Sequence, residues 1–364
     1  MNNPPSPSAG ATPTRGARIW LARVAALGIS LGVSLALVEL ALAWFHPIHY
    51  REPTRAGGKN PWRSLLHQRS QLPGLAYELV PGAKGTRAGE KIEINSLGMR
   101  DDEPIPDGPD RVRLAVVGDS STFGFGIVDG HDTYANLLEA RLNARGDGHR
   151  YEVDNLGVGG YSSHDEAILL ADRAPRLKPH LVILGYSLND PEIEPIQPLH
   201  AYYQPTAFWQ RFNLLRLLAQ VRNEEQIREI GGGSYYHYLH REPAHWGSVV
   251  AAFQSIAATA RQGQFRVLLA ILPVIPEPDT KAGQDWRSRY RFADLHRQVA
   301  EEGAKNGFEA IDLYPALSQR EPKEIRVGED DFHPNALGHQ LIAQALYERI
   351  AAEYDSLLPG ASSP

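Results

Sequence analysis

Five short apolar runs, set apart by helix-length stretches, constrain this chain more than any other feature. Arg111–Val117 alternates through Val112, Leu114 and Val116 before Val117 extends it, and Tyr151–Leu156, His180–Gly185, Phe265–Leu272 and Phe308–Leu313 follow. Runs of this length bounded by turn residues read as strands. The third is apolar without a break, as in a strand covered on both faces. Between the runs, Tyr134, Leu137, Leu138 and Leu142 recur at helical spacing. Ser162–Ala174 places Ala167, Leu170 and Ala171 on one helical face, and Leu337, Leu341, Ala345 and Leu346 mark a last helix. Strand–helix alternation of this kind predicts an α/β fold, a doubly wound, mostly parallel sheet of five strands. Between the third and fourth strands lies an insertion of about 191–246. Tyr202, Tyr203, Trp209, Phe212, Tyr235, Tyr236 and Tyr238 make it aromatic, and Gly231–Gly233 divides it. It springs from the loop carrying Asn189, so it is expected over the active site.

The rest of the chain is organised differently. Residues 1–18 are rich in Pro, Ser, Ala and Gly and lack the apolar surface to order themselves, so they read as a disordered tail, as do 359–364. Residues 19–45 read as a transmembrane helix. Val24–Phe45 is almost wholly apolar, about 22 residues, long enough to cross a bilayer with some tilt. Ala41-Leu42-Ala43 would serve as a cleavage site, so a cleaved signal sequence is the competing reading. Glu39, near the outer end, can snorkel or take a proton and is assigned no function. Arg residues flank the span on both sides, and the positive-inside rule weakens where a long domain follows. Residues 46–110, rich in Pro, Gly and Arg, read as a stalk and a small ordered collar, with Ile92–Arg100 as a short strand entering a turn. Residues 111–358 then hold the α/β domain with its insertion.

Composition excludes some functions. There is no cysteine, so thiolate catalysis, thiolate metal sites and disulfides are ruled out. The formal net charge is −6 and no basic domain emerges, which argues against nucleic acid as a partner. Gly124-Phe125-Gly126 lacks the third glycine of a dinucleotide loop and the lysine of a phosphate loop, so no nucleotide cofactor is expected. Nor is a metal.

The first strand ends abruptly in Gly118-Asp119-Ser120, which puts Ser120 where open α/β sheets place their ligand crevices. Asn155-Leu156-Gly157-Val158-Gly159-Gly160 follows the second strand, Ser187-Leu188-Asn189-Asp190 the third, and Asp330-Asp331-Phe332-His333-Pro334 comes near the end. A serine hydroxyl needs a base, and His333 is the candidate. Asp330, three residues earlier, is positioned to fix its tautomer. Pro334 stiffens that segment and Asn335 caps the helix behind it. Asp119 reads as a structural residue bonding the turn's backbone, Asp331 as a solvated carboxylate and His339 as a surface residue of the last helix.

In this order, these four blocks resemble the SGNH (or GDSL) hydrolase superfamily over roughly Arg111 to Ala352. The resemblance implies the flavodoxin-like SGNH fold and a serine esterase with Ser120, His333 and Asp330 as catalytic triad. It also implies an oxyanion hole built from the Ser120 backbone N–H, the Gly160 backbone N–H and the Asn189 side-chain amide. One position departs: the third block is usually Gly-x-Asn-Asp, and Ser187 fits poorly if that turn requires a positive φ.

The expected activity is hydrolysis of acetyl or short acyl esters through an acyl-enzyme. The expected substrate is an ester-bearing glycan or lipid of the cell envelope, since tethered relatives of this kind face outward and their catalytic domain is extracytoplasmic. Three alternatives remain at this point: an O-acyltransferase passing the acyl group to a sugar hydroxyl, a lysophospholipase-type lipid hydrolase, and a non-catalytic glycan-binding protein on the same fold.

Overall fold

The computed structural model describes residues 15–45, 66–87, 89–106, 108–193, 208–329, 331–353 and 358. Residues 1–14 and 359–364 of the expected tails, 46–65 of the stalk, 194–207 of the insertion and Asp330 lie outside the described residues. The chain divides into two compact units, residues 1–53 with 196–224 and residues 54–195 with 225–364.

Helix α1 runs from Arg15 to Phe45, starting ahead of residue 19, and none of its residues is buried. Among the described residues it is the one helix long and apolar enough to cross a bilayer or to act as a signal sequence.

The second unit opens with two small antiparallel hairpins. β1 (His67–Arg69) pairs with β2 (Tyr77–Leu79), and β3 (Lys84–Arg87) with β4 (Glu90–Glu93). The short strand entering a turn expected over Ile92–Arg100 is present: the strand ends at Glu93, and the side chain of Asn95 then accepts from the N–H groups of Leu97 and Met99, both at 3.0 Å, and makes the turn. Leu66, Leu79, Ile92, Ile94 and Met99 join the core on one face of the main sheet.

That sheet is built from β5 (Arg111–Gly118), β6 (Arg150–Gly157), β7 (Leu181–Tyr186), β8 (Arg266–Ile271) and β9 (Glu309–Asp312). All pairs are parallel and the spatial order is β6-β5-β7-β8-β9. This is the flavodoxin-like order, whose winding reverses between β5 and β7 and opens a crevice at their carboxyl ends. Between β5 and β6 come the single-turn helix α2 (Ser120–Phe123) and α3 (Tyr134–Asn143); α4 (Ser163–Leu177) links β6 to β7. The insertion carries α5 (Asn213–Gly231), α6 (Tyr235–Arg241) and the start of α7 (Pro243–Gly263). After α8 (Ala293–Lys305) and β9, a small hairpin of β10 (Arg326–Gly328) and β11 (Asp331–Pro334) leads into α9 (Ala336–Ala352). Leu170, Phe253, Ile256 and Val299 pack on one sheet face, and Leu138, Leu142, Ile342 and Leu346 on the other. The doubly wound sheet expected from the sequence is therefore the observed one.

Three glycines stand in register where β5, β6 and β7 end: Gly118 pairs with Gly157 and with Gly185. A Cβ on Gly118 would come within 2.0 Å of Thr122 Oγ1, one on Gly157 within 2.2 Å of the Phe123 nitrogen, and one on Gly185 within 2.7 Å of Thr122 Oγ1. Helix α2 therefore rests directly on the strand ends, with no side chain between.

The edge strand β6 buries a carboxylate beside a cation. Asp154 Oδ2 lies 3.2 Å from Arg113 Nε, while Arg113 also serves Glu152 at 2.7 Å. Burial pushes Asp154 up to about 7, more than the nearby Arg113 lowers it. A folded-state value above the unfolded one means that the native state binds the extra proton between the two. Stability then falls as pH rises from about 4 to about 7. Asp154→Asn removes this penalty. We expect its melting temperature to exceed the parent's above pH 7 and to converge with it below pH 4, as read by thermal unfolding across pH.

Candidate active site

Ser120 opens α2, just past the end of β5. Asp119 caps that helix, its Oδ1 accepting from the Ser121 N–H at 2.8 Å, as expected of a structural residue. Desolvation pushes the fully buried Asp119 carboxyl up, and the Ser121 N–H bond and the nearby His333 partly offset this. The Ser187 backbone, in the turn after β7, is not in the left-handed region, so the serine sits there without strain.

His333 Nε2 lies 2.8 Å from Ser120 Oγ, and His333 Nδ1 lies 2.6 Å from Asp331 Oδ1. The same Asp331 oxygen accepts from the His333 backbone N–H at 3.0 Å. A carboxylate on Nδ1 keeps the proton there and leaves Nε2 free to accept from the serine hydroxyl. The imidazole is stacked on Phe332, centroids 4.6 Å apart, and meets Phe125 at 4.8 Å, which fixes the ring plane.

Asp331, read from the sequence as solvated, is the carboxylate that meets His333 among the described residues, which do not include Asp330. The reason is local conformation. Asp331 and His333 lie on β11, and in a strand side chains two apart share a face, whereas a three-residue offset suits a loop or a helical turn. His339 also differs: it is fully buried, accepts from the Tyr134 N–H through Nδ1 at 2.9 Å and stacks on that ring. Burial lowers it to about 3, so it is neutral. Asn335 caps α9 as expected, accepting from the Gly338 N–H.

Gly159 and Gly160 lie beside the serine; a Cβ on Gly159 would stand 3.8 Å from Ser120 Cβ. Gly160 has φ +86°, which favours glycine. This loop is gripped by a residue with no signal in the sequence. The Tyr77 hydroxyl, from β2, donates to the Gly159 carbonyl at 2.8 Å, and Tyr161 donates back to the Tyr77 carbonyl. Arg100 holds the other side. Only 1% exposed, it donates to Gly124 O at 2.6 Å, Ile127 O at 2.7 Å and Phe123 O at 3.2 Å, just behind α2. Its burial lowers it to about 10, and it remains charged. Arg100→Met would remove this donor from all three carbonyls, of which Gly124 O keeps the Ile127 N–H, a loss on the order of 3 kcal/mol. A urea midpoint that did not move would contradict this.

A cavity of about 30 Å³ adjoins the site. Ser121, Asn189, Tyr236, Val274, Phe332 and Pro334 are among its lining residues. Tyr236 brings one aromatic of the insertion to the crevice.

A serine, a histidine and a carboxylate in hydrogen-bonded sequence at the carboxyl ends of a doubly wound sheet define the serine hydrolase class. A family model described as GDSL-like lipase/acylhydrolase matches residues 116–341, more than half of the 364-residue chain. The chain belongs to the GDSL-like lipase/acylhydrolase family, and it is a serine ester hydrolase. Among solved structures, the esterase EstA from Pseudoalteromonas sp. is 12% identical and covers 67% of this chain and 99% of its own, with a TM-score of 0.41. An acetyl xylan esterase is 17% identical, covering 66% and 100% at a TM-score of 0.40. A lipase/acylhydrolase from Enterococcus faecalis is 16% identical, covering 66% and 96% at 0.40. No curated protein is similar in sequence to the chain.

Proposed function

We propose that the chain is an exported, membrane-anchored esterase that removes acetyl or other short acyl groups from a cell-envelope glycan through an acyl-enzyme. The observation that carries the reaction is the alignment of Ser120, His333 and Asp331 at 2.8 and 2.6 Å. Ser120 Oγ attacks the ester carbonyl while its proton passes to His333 Nε2. Asp331 holds the imidazole and stabilises its charge. The carbonyl oxygen becomes an oxyanion met by the N–H groups of Ser120 and Gly160 and the amide of Asn189. When the C–O bond breaks, the imidazolium gives its proton to the departing alcohol. Water then attacks the acyl-serine by the same route, releasing the acid and free Ser120.

The small cavity beside Asn189, about 30 Å³, walled by Leu188, Tyr236 and Phe332, supports a short rather than a long acyl group. The test uses the full chain in detergent against an acetylated polysaccharide and a long-chain lysophospholipid. Acetate release with little fatty-acid release is expected; the reverse would favour the lipid hydrolase.

Tyr77 has a part in this reading. If the Gly159 carbonyl loses its donor, the Gly160 N–H is held less well at the oxyanion. Tyr77→Phe is therefore expected to lower kcat about tenfold, below the loss of a whole oxyanion donor, with KM little changed. Steady-state kinetics on p-nitrophenyl acetate give that split; a change confined to KM would contradict it.

A further inference from the structure

Residues 208–224 belong to the same compact unit as α1, and their surface is inverted. In α5, Asn213 and Arg216 are 4% and 6% exposed, whereas Leu215, Leu218 and Val221 are 40%, 57% and 52% exposed. At about 100° per residue, those three apolar residues share an arc of about 120°, and Asn213 and Arg216 fall on the opposite side. Phe208 and Trp209, 73% and 42% exposed, and Phe212 extend the apolar surface ahead of the helix. A helix in water turns its apolar side inward. Apolar out and polar in is the arrangement of a helix whose solvent is lipid.

A second, independent contact points the same way. Glu39, the one acidic residue of α1, accepts from the N–H groups of Asn213 and Leu214 at 2.5 and 3.0 Å. The first turn of a helix carries N–H groups without intrahelical partners, and a carboxylate there satisfies them and meets the positive end of the helix dipole. The acidic residue that a bilayer-crossing helix would otherwise expose is thus used to seat the start of α5. The aromatics at 208, 209 and 212 are the types that settle at the headgroup level, and the exposed Arg211 and Arg222 have stems long enough to reach phosphates. The apolar stretch Leu214–Val221 spans about 12 Å, too short to cross the roughly 30 Å hydrocarbon core. Polar and charged residues follow it from Arg222.

We propose that residues 208–221 are a second membrane-contacting element, lying in the headgroup layer of a phospholipid bilayer beside α1 and seated on Glu39. This rests on reading α1 as a retained membrane span. The chain contains no cysteine, so single cysteines can be introduced and labelled one at a time. The full chain is reconstituted into phosphatidylcholine vesicles carrying a nitroxide lipid, with an environment-sensitive fluorophore at F212C, L218C, I29C or E301C. Several-fold quenching by the lipid nitroxide is expected at positions 29, 212 and 218, and none at 301. Quenching at 29 with 212 and 218 as open to aqueous iodide as 301 would overturn this second contact while leaving the anchor. No quenching at 29 either would overturn both.

Discussion

Ser120→Ala is expected to fold normally and to lose on the order of 10⁴-fold to 10⁶-fold in kcat for ester hydrolysis, because it removes the hydroxyl that meets His333 Nε2. The substitution removes one oxygen at the start of α2. The packing of Thr122 and Phe123, the Asp119 cap and the Arg100 contacts are untouched. What survives is the oxyanion hole and binding, which alone leave some rate above water. The measurement is p-nitrophenyl acetate turnover with fluorophosphonate labelling of parent and variant, alongside circular dichroism. Labelling must vanish with turnover. If the variant kept both, Ser120 would not be the nucleophile; if parent and variant alike showed neither, a binding protein on this fold would become the better reading.

The second large effect separates two adjacent carboxylates. Asp331→Asn should lower kcat by about 10⁴, because an amide on Nδ1 permits the wrong imidazole tautomer and no longer stabilises the imidazolium. Asp330→Asn should leave kcat close to the parent's. The result is sharp because the residues are neighbours and the expected losses differ by orders of magnitude. A collapse in Asp330→Asn with Asp331→Asn nearly unaffected would mean that the three-residue offset expected from the sequence operates during turnover.

That contrast shows what the sequence could carry. The five strands were legible because buried strands must be written as apolar runs, and Ser120 as the candidate because three further blocks follow its Gly-Asp-Ser break in order. Which of two adjacent carboxylates meets His333 was not legible, because the offset depends on whether the segment is a strand or a loop. Asp330-Asp331 offers a carboxylate for either. His339 was misread for a related reason: a helix with apolar residues spread around it gives no sign of which polar residue faces the core. Tyr77 and Arg100 carried no signal. Their targets are backbone carbonyls, which leave no mark on the residues that own them. Nor did the insertion reveal that its aromatics divide, Tyr236 going to the crevice while Phe208, Trp209 and Phe212 belong to the unit that contains α1.

The glycine floor under α2 has a consequence for how this enzyme can change. Gly118, Gly157 and Gly185 cannot take even a methyl group without moving Thr122 or the backbone of Phe123. The nucleophile's address is therefore closed to gradual variation. The crevice wall is made differently, from Tyr236 on α6, Val274 on a loop and Phe332 on β11. A library built to shift substrate preference should spend its diversity on that wall and leave the three strand ends alone. New specificities then arise around a serine that has not moved.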